Sequence, residues 1–184
     1  MAILKTIRFG IATILLCCLT HAHAQKQEAQ EYQVKAIFLF NFAQFVEWPQ
    51  SSFNETNAIV IGILGINPFG SYLEETVRGE EVNGHPLQVR HFAEIEDVKS
   101  CHILFINFSE ASQLRHAITN LKSKSTLTVS DANGFAIQGG MIRFLTEDRK
   151  TRIRINLPAV KEADLKVSSK LLRLAEIVSP KKQP

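Results

Sequence analysis

Cysteine is scarce in this chain. There are three, and two of them, Cys17 and Cys18, lie in an N-terminal segment expected to be removed. Cys101 then stands alone, so a disulfide framework within the chain is excluded. An apolar run long enough to span a bilayer is also missing. Ile11 to Leu19 is broken by one threonine and falls well short of the ~20 residues that a hydrocarbon core of about 30 Å requires. Excess positive charge is modest too. Lys5 and Arg8 leave with the N-terminal segment and no acid does, so the formal charge falls from +3 to +1. A nucleic-acid binder needs a basic stripe with many phosphate contacts, so no such partner is expected.

Several chemical signatures are absent as well. Gly62, Gly65 and Gly70 follow a strand, but their spacing is not G-x-G-x-x-G and no Lys-Ser or Lys-Thr pair follows. The simpler reading is a tight turn that brings a helix onto a sheet. His85, His91, His102 and His116 lack the close pairing of a zinc motif and read as polar surface histidines. Ser130-Asp131 invites a hydrolase reading with His102 or His116 as base, yet no G-x-S-x-G elbow occurs anywhere. Asp131 is better explained as a cap on the turn at Asn133-Gly134. Gly139-Gly140 reads as a chain reversal rather than an anion-binding nest.

What the chain does have begins with its leader. Lys5 and Arg8 precede the apolar run, and Ala22-His23-Ala24 supplies the small-x-small pattern read by signal peptidase. Cleavage is expected after Ala24, leaving 25–184 as a single α/β domain of about 160 residues, enough for a self-sufficient core. No small residue precedes the leader cysteines and no twin arginine occurs, which points to ordinary export rather than lipidation or folded export. The mature chain therefore works in the periplasm, where ATP and reduced nicotinamide are not supplied, and no cofactor is expected.

Beyond a polar start, Val34, Ile37, Phe38, Phe42, Phe45 and Val46 recur at helical spacing until Trp48-Pro49 ends the pattern. Ala58 to Leu64 is a strand buried on both faces, as parallel sheets require. Asn67-Pro68 then offers an N-cap and a first-turn proline for the next helix. His85 to Phe92, His102 to Phe108 and Thr126 to Ser130 are further strands, with a helix from Ser109 through Leu121 between the last two. Met141 to Leu145 and Thr151 to Asn156 form a β-hairpin, and Leu165 to Val178 reads as a last helix stopped by Pro180. The expected fold is thus α/β: a largely parallel layered sheet flanked by helices, with a C-terminal β-hairpin and terminal helix.

The order of these pieces resembles a known family. The residues that carry the resemblance are Val34-Lys35-Ala36-Ile37-Phe38-Leu39-Phe40-Asn41-Phe42 leading to Val46-Glu47-Trp48-Pro49, then Ile61-Gly62-Ile63-Leu64-Gly65. Cys101 to Ile106, Leu127 to Asp131, Gly134-Phe135, Gly139 to Phe144, Ile153 to Asn156 and Leu165 to Ala175 complete it. The chain resembles the YfiR-family periplasmic proteins over essentially its whole mature length. The resemblance implies a non-catalytic repressor of an inner-membrane diguanylate cyclase of the YfiN type, bound through that enzyme's periplasmic domain. It also implies release by an OmpA-like outer-membrane lipoprotein, and a homodimer. Relatives carry further cysteines, whose positions fall here at Gly62, Ala136 and Arg143. Only Cys101 persists, so it is expected to pack as a small apolar residue rather than to sense redox state.

Two readings of function follow. In the first, a partner docks on the hairpin through Ile142, Phe144, Arg152 and Arg154, an apolar centre with arginines to fix orientation. In the second, the protein is a periplasmic small-ligand sensor whose crevice lies beyond the carboxyl ends of the strands. Gly65, Asn67, Gly70, Ser130, Asp131 and Asn133 would line that crevice. Mass spectrometry of periplasmic material should find a mature chain starting at Gln25; retention of residues 1–24 in a membrane fraction would contradict the leader reading.

Overall fold

A computed structural model describes residues 27–121, 125–148 and 150–178. The expected leader lies outside them. The strand Ile59–Gly65 (β2) organises the rest, because Ile59 to Leu64 are all buried and can satisfy their backbone groups only between two other strands. Its neighbours are His85–Phe92 (β4) and Ile103–Asn107 (β5), both parallel to it. Leu127–Ser130 (β6) and Ile142–Glu147 (β7) continue the parallel series beyond β5. Lys150–Asn156 (β8) turns back antiparallel to β7, and Ala175–Val178 (β10) runs parallel to β8. Glu81–Val82 (β3) closes the far edge, so eight strands stand in the order β10-β8-β7-β6-β5-β2-β4-β3.

Strand alternation divides the apolar residues between two cores. Ile59, Ile61, Ile63, Phe105, Val129, Phe144 and Ile153 face one side, beneath helix α1 at residues 27–45. Val60, Leu64, Leu104 and Ile106 face the other, under Leu114, Ala117 and Phe135. Helix α1 is buried along Ala36, Leu39, Phe42 and Ala43, the helical stripe its sequence announces. Phe42 lies stacked on Phe144 with ring centroids 5.8 Å apart, and Phe38 meets the same ring at 5.8 Å. The chain leaves α1 through Val46–Glu47 (β1), which pairs antiparallel with Lys166–Val167 (β9).

Several expected boundaries move. After β2, Asn67 does not cap a helix. Its Oδ1 accepts from the Phe69 amide at 2.9 Å and its Nδ2 donates to the Gly70 carbonyl at 3.1 Å, an Asx turn. Helix Tyr72–Val77 (α2) starts only after that turn. Helix Ala111–Asn120 (α3) starts after Glu110 rather than at Ser109. The chain end differs most. Asn156 accepts from the Ala159 amide at 3.2 Å and caps a helix over Leu157–Glu162 (α4), with Pro158 in its first turn. A second short helix spans Ser169–Leu174 (α5), and β10 replaces the helical continuation expected through Val178. The reason is pairing: without β10 the backbone groups along the outer side of β8 would have no ladder partner.

The two faces of β7 differ sharply in burial, which fixes a contrast in stability. Phe144→Ala should cost about 3–5 kcal/mol in denaturant melts. Leu145→Ala, one residue on and pointing the other way, should cost under ~1 kcal/mol.

Candidate partner-binding face

Within the hairpin, Ile142 and Phe144 point into the α1 side of the sheet and are 0% exposed. The expectation that they touch a partner is corrected by this: α1 already covers them, and no partner reaches them without opening the core. Arg143, Leu145 and Glu147 point to the opposite face, joined across the ladder by Arg154, Arg152 and Lys150. Glu176 of β10 lies beside Arg154 on that same face. None of Arg143, Leu145, Glu147, Arg152, Arg154 and Glu176 is buried. The second core, with α3 and Phe135, covers β2 and β5 but draws no residue from β7, β8 or β10. Three adjacent strands therefore present a sheet surface with no helix over it among the described residues.

The charges on this strip are interlocked. Arg154 Nε donates to Glu176 Oε2 at 2.7 Å, which raises the guanidinium pKa still further. Its other arm lies 3.6 Å from Glu147, and Arg152 Nε lies 3.5 Å from the same carboxylate. Such exposed pairs contribute about 0–1 kcal/mol each, so they orient the arginines more than they stabilise the sheet. Arg143 donates to the Asn133 side chain, while its buried Nε finds no acceptor.

The residues of the expected ligand crevice are brought together at the carboxyl end of the sheet, but their polar groups are engaged internally. Ser130 Oγ donates to the Ile106 carbonyl at 2.7 Å and accepts from the Ala132 amide at 3.2 Å. Gly65 (φ +88°) brings its Cα against the Asn107 carbonyl, where a Cβ would collide. Gly70 also has a positive φ, and Asn133 receives Arg143. Asp131 does not cap the turn after it. It accepts from Lys35 at 2.7 Å and from the Tyr32 hydroxyl at 2.9 Å, both on the first turns of α1.

Lys35 is the residue the sequence reading missed. It is 2% exposed, is also paired with Glu31 at 2.8 Å, and stands 4.2 Å above the Tyr32 ring. Burial and the neighbouring Asp131 carboxylate push the Tyr32 hydroxyl well above its usual range, so it remains a donor. The signal was there: Lys35 sits on the stripe of Tyr32, Leu39 and Phe42, four residues after Glu31. A cleft of about 350 Å³ lies elsewhere, lined by Ile95, Phe108 and the α3 residues Gln113, His116 and Ala117.

Cys101 is 5% exposed, and its thiol donates to the Ile103 carbonyl at 3.0 Å. Burial pushes it up to about 12, which keeps it a thiol at neutral pH and unreactive. A Cβ on Gly62 would lie 2.7 Å from its sulfur, so the glycine leaves the space that the thiol fills. Of the histidines, His91 meets Glu74, His116 meets Glu96 and His85 meets the Asn57 carbonyl. His102 is not at the surface at all; it is 1% exposed.

Fold and face together define an α/β domain that presents, among the described residues, a helix-free, arginine-bearing stretch of sheet. Residues 32–176 match a family model described as YfiR/HmsC-like, and the chain belongs to that family. None of the curated proteins compared with the chain matches it. Among the described residues no helix is long and apolar enough to cross a membrane.

The Lys35–Asp131 pair yields a test. Lys35→Met should destabilise the fold by about 3 kcal/mol in denaturant melts, because it removes the main partner of a largely buried carboxylate. Adding Asp131→Asn should recover part of that loss; strictly additive effects would show that the pair is not coupled.

Proposed function

We propose that the chain, after loss of residues 1–24, is a periplasmic, non-catalytic repressor of an inner-membrane diguanylate cyclase of the YfiN type. It binds the periplasmic domain of that enzyme and lowers cyclic-di-GMP output. Membership of the YfiR/HmsC-like family supports this reading. The observation on this chain that carries it is the helix-free strip of β7, β8 and β10, with Leu145 on β7 next to Arg152 and Arg154 on the middle strand. An interface of this kind needs an apolar centre and planar, multi-donor cations that fix orientation. Both arginines are already extended toward carboxylates, Glu147 and Glu176, so acidic groups of a partner find them presented. In this reading an OmpA-like outer-membrane lipoprotein relieves repression by competing for the chain.

Replacing Arg152 and Arg154 together with glutamate tests the site. Surface charge changes of this kind cost little folding energy, so circular dichroism should remain that of the parent. Intracellular cyclic-di-GMP should nevertheless rise as it does on deletion of the gene. Normal repression by the folded variant would move the interface off this strip, with the exposed flank of α1 at Val34 and Ile37 next in line.

A further inference from the structure

The buried His102 has a geometry that the partner-binding reading does not use. Its Nδ1 accepts a hydrogen bond from the Val60 amide at 3.1 Å, which assigns the ring as neutral imidazole with its proton on Nε2. That Nε2 is buried and has no acceptor among the described residues. Aromatic rings enclose it: Phe53 at 4.7 Å and Trp48, edge-on, at 5.6 Å between centroids. Phe53 in turn stacks on His85 at 4.0 Å with the rings 17° from parallel. One phenyl ring thus lies against two imidazoles. Trp48 completes the arrangement by donating from Nε1 to the His102 carbonyl at 3.1 Å.

These contacts hold the segment from Trp48 to Asn57, including the 3-10 turn Gln50–Phe53, against the amino end of the sheet. The same segment follows β1, whose pairing with β9 ties α1 to the chain end, along with the Ser168 amide donating to the Phe45 carbonyl at 2.8 Å. Among the described residues, the charged groups around the ring offer no compensation for a cation. His85 from β4 is the titratable group that acts on it, and it opposes protonation. Glu55, the acid of the 48–57 segment, is engaged by Ser100, and Glu47 of β1 is exposed.

We propose that the His85–Phe53–His102 stack is an acid-sensitive fastener, whose protonation releases residues 46–57 from the sheet and loosens the β1–β9 tie. A proton on Nδ1 turns the acceptor of the Val60 amide into a second donor facing it. It also buries a cation without a counter-ion, across one ring from a second histidine. Burial, with His85 adding to it, lowers His102 from 6.5 to about 4. A folded-state value below the unfolded one means the contribution to stability is complete above about 6.5 and is lost as pH falls toward about 4. The opening equilibrium of the segment should shift roughly a hundredfold or more across that window. The physiological meaning rests on the periplasmic reading; the physical claim does not.

Trp48 is the only tryptophan in the sequence and touches the ring in question, so its fluorescence reports the fastener directly. The chain starting at Gln25 would be titrated from pH 8 to pH 3.5 (about one reading per half unit), with tryptophan emission and far-ultraviolet circular dichroism followed together. The emission should change with a midpoint well below the ordinary histidine range, before circular dichroism is lost, while hydrogen exchange accelerates in residues 46–57. His102→Asn keeps an acceptor for the Val60 amide but cannot titrate, and should abolish the emission change. His85→Gln, at a less buried position, should move the midpoint upward and serves equally if the first variant does not fold. A silent Trp48, a change seen only with loss of the fold, or a midpoint untouched by these substitutions would overturn the proposal. Repression assays are not needed, so a failure here and a failure of the arginine variant are separable.

Discussion

Helix α1 can lie across the sheet only because its buried stripe meets a floor built to receive it. Ala36 and Ala43 let the helix come close, while Phe42 stacks on Phe144 and Phe38 leans on the same ring. Large and small residues interdigitate here, as close packing in protein interiors requires. At its first turns the helix is fixed by charge instead, through Lys35 and Tyr32 on Asp131. Just beyond its other end, Trp48 and Phe53 hold the chain to His102. The covering helix is therefore bonded to both ends of the sheet, polar at the carboxyl end and aromatic at the amino end.

That single contact creates the asymmetry on which the proposed docking face rests. Once α1 occupies one face of β7 and β8, the apolar residues Ile142 and Phe144 are committed to the core. The opposite face is left to Arg143, Leu145, Arg152 and Arg154, and α3 stops short of it. An antiparallel hairpin tolerates water on one side, whereas the parallel strands at the centre do not. The pair β7–β8, solvated on one side, is accordingly antiparallel.

Much of this was legible in the sequence. The unbroken apolar run of β2 and the helical spacing from Val34 to Val46 are strong periodic signals, and both elements form. The alternation of Ile153 and Ile155 with Arg152 and Arg154 correctly separated the two faces of β8. On β7 both faces carry apolar residues, so alternation alone does not tell that Ile142 and Phe144, offered to a partner, lie beneath α1. Lys35 escaped because a lysine within an apolar helix reads as a solvated position unless its partner, 96 residues away, is known. His102 escaped for a similar reason, since its acceptor role depends on an amide 42 residues distant. The strand β10 was hidden by leucines at helical spacing in α5, a helix too short to continue once β8 offered a ladder.

The bond between Arg154 and Glu176 links the open face to the outermost strand. Glu176 lies on β10, which borders the sheet and is held on its inner side by β8. In the docking reading proposed above, a carboxylate that approaches Arg154 meets a guanidinium whose Nε is already given to Glu176. Occupancy of the face would thus draw on the same guanidinium as that pair, while the last strand stays held by its ladder with β8. Under that proposal the border of the sheet carries a weak internal competitor, worth no more than an exposed ion pair, for an incoming acidic group.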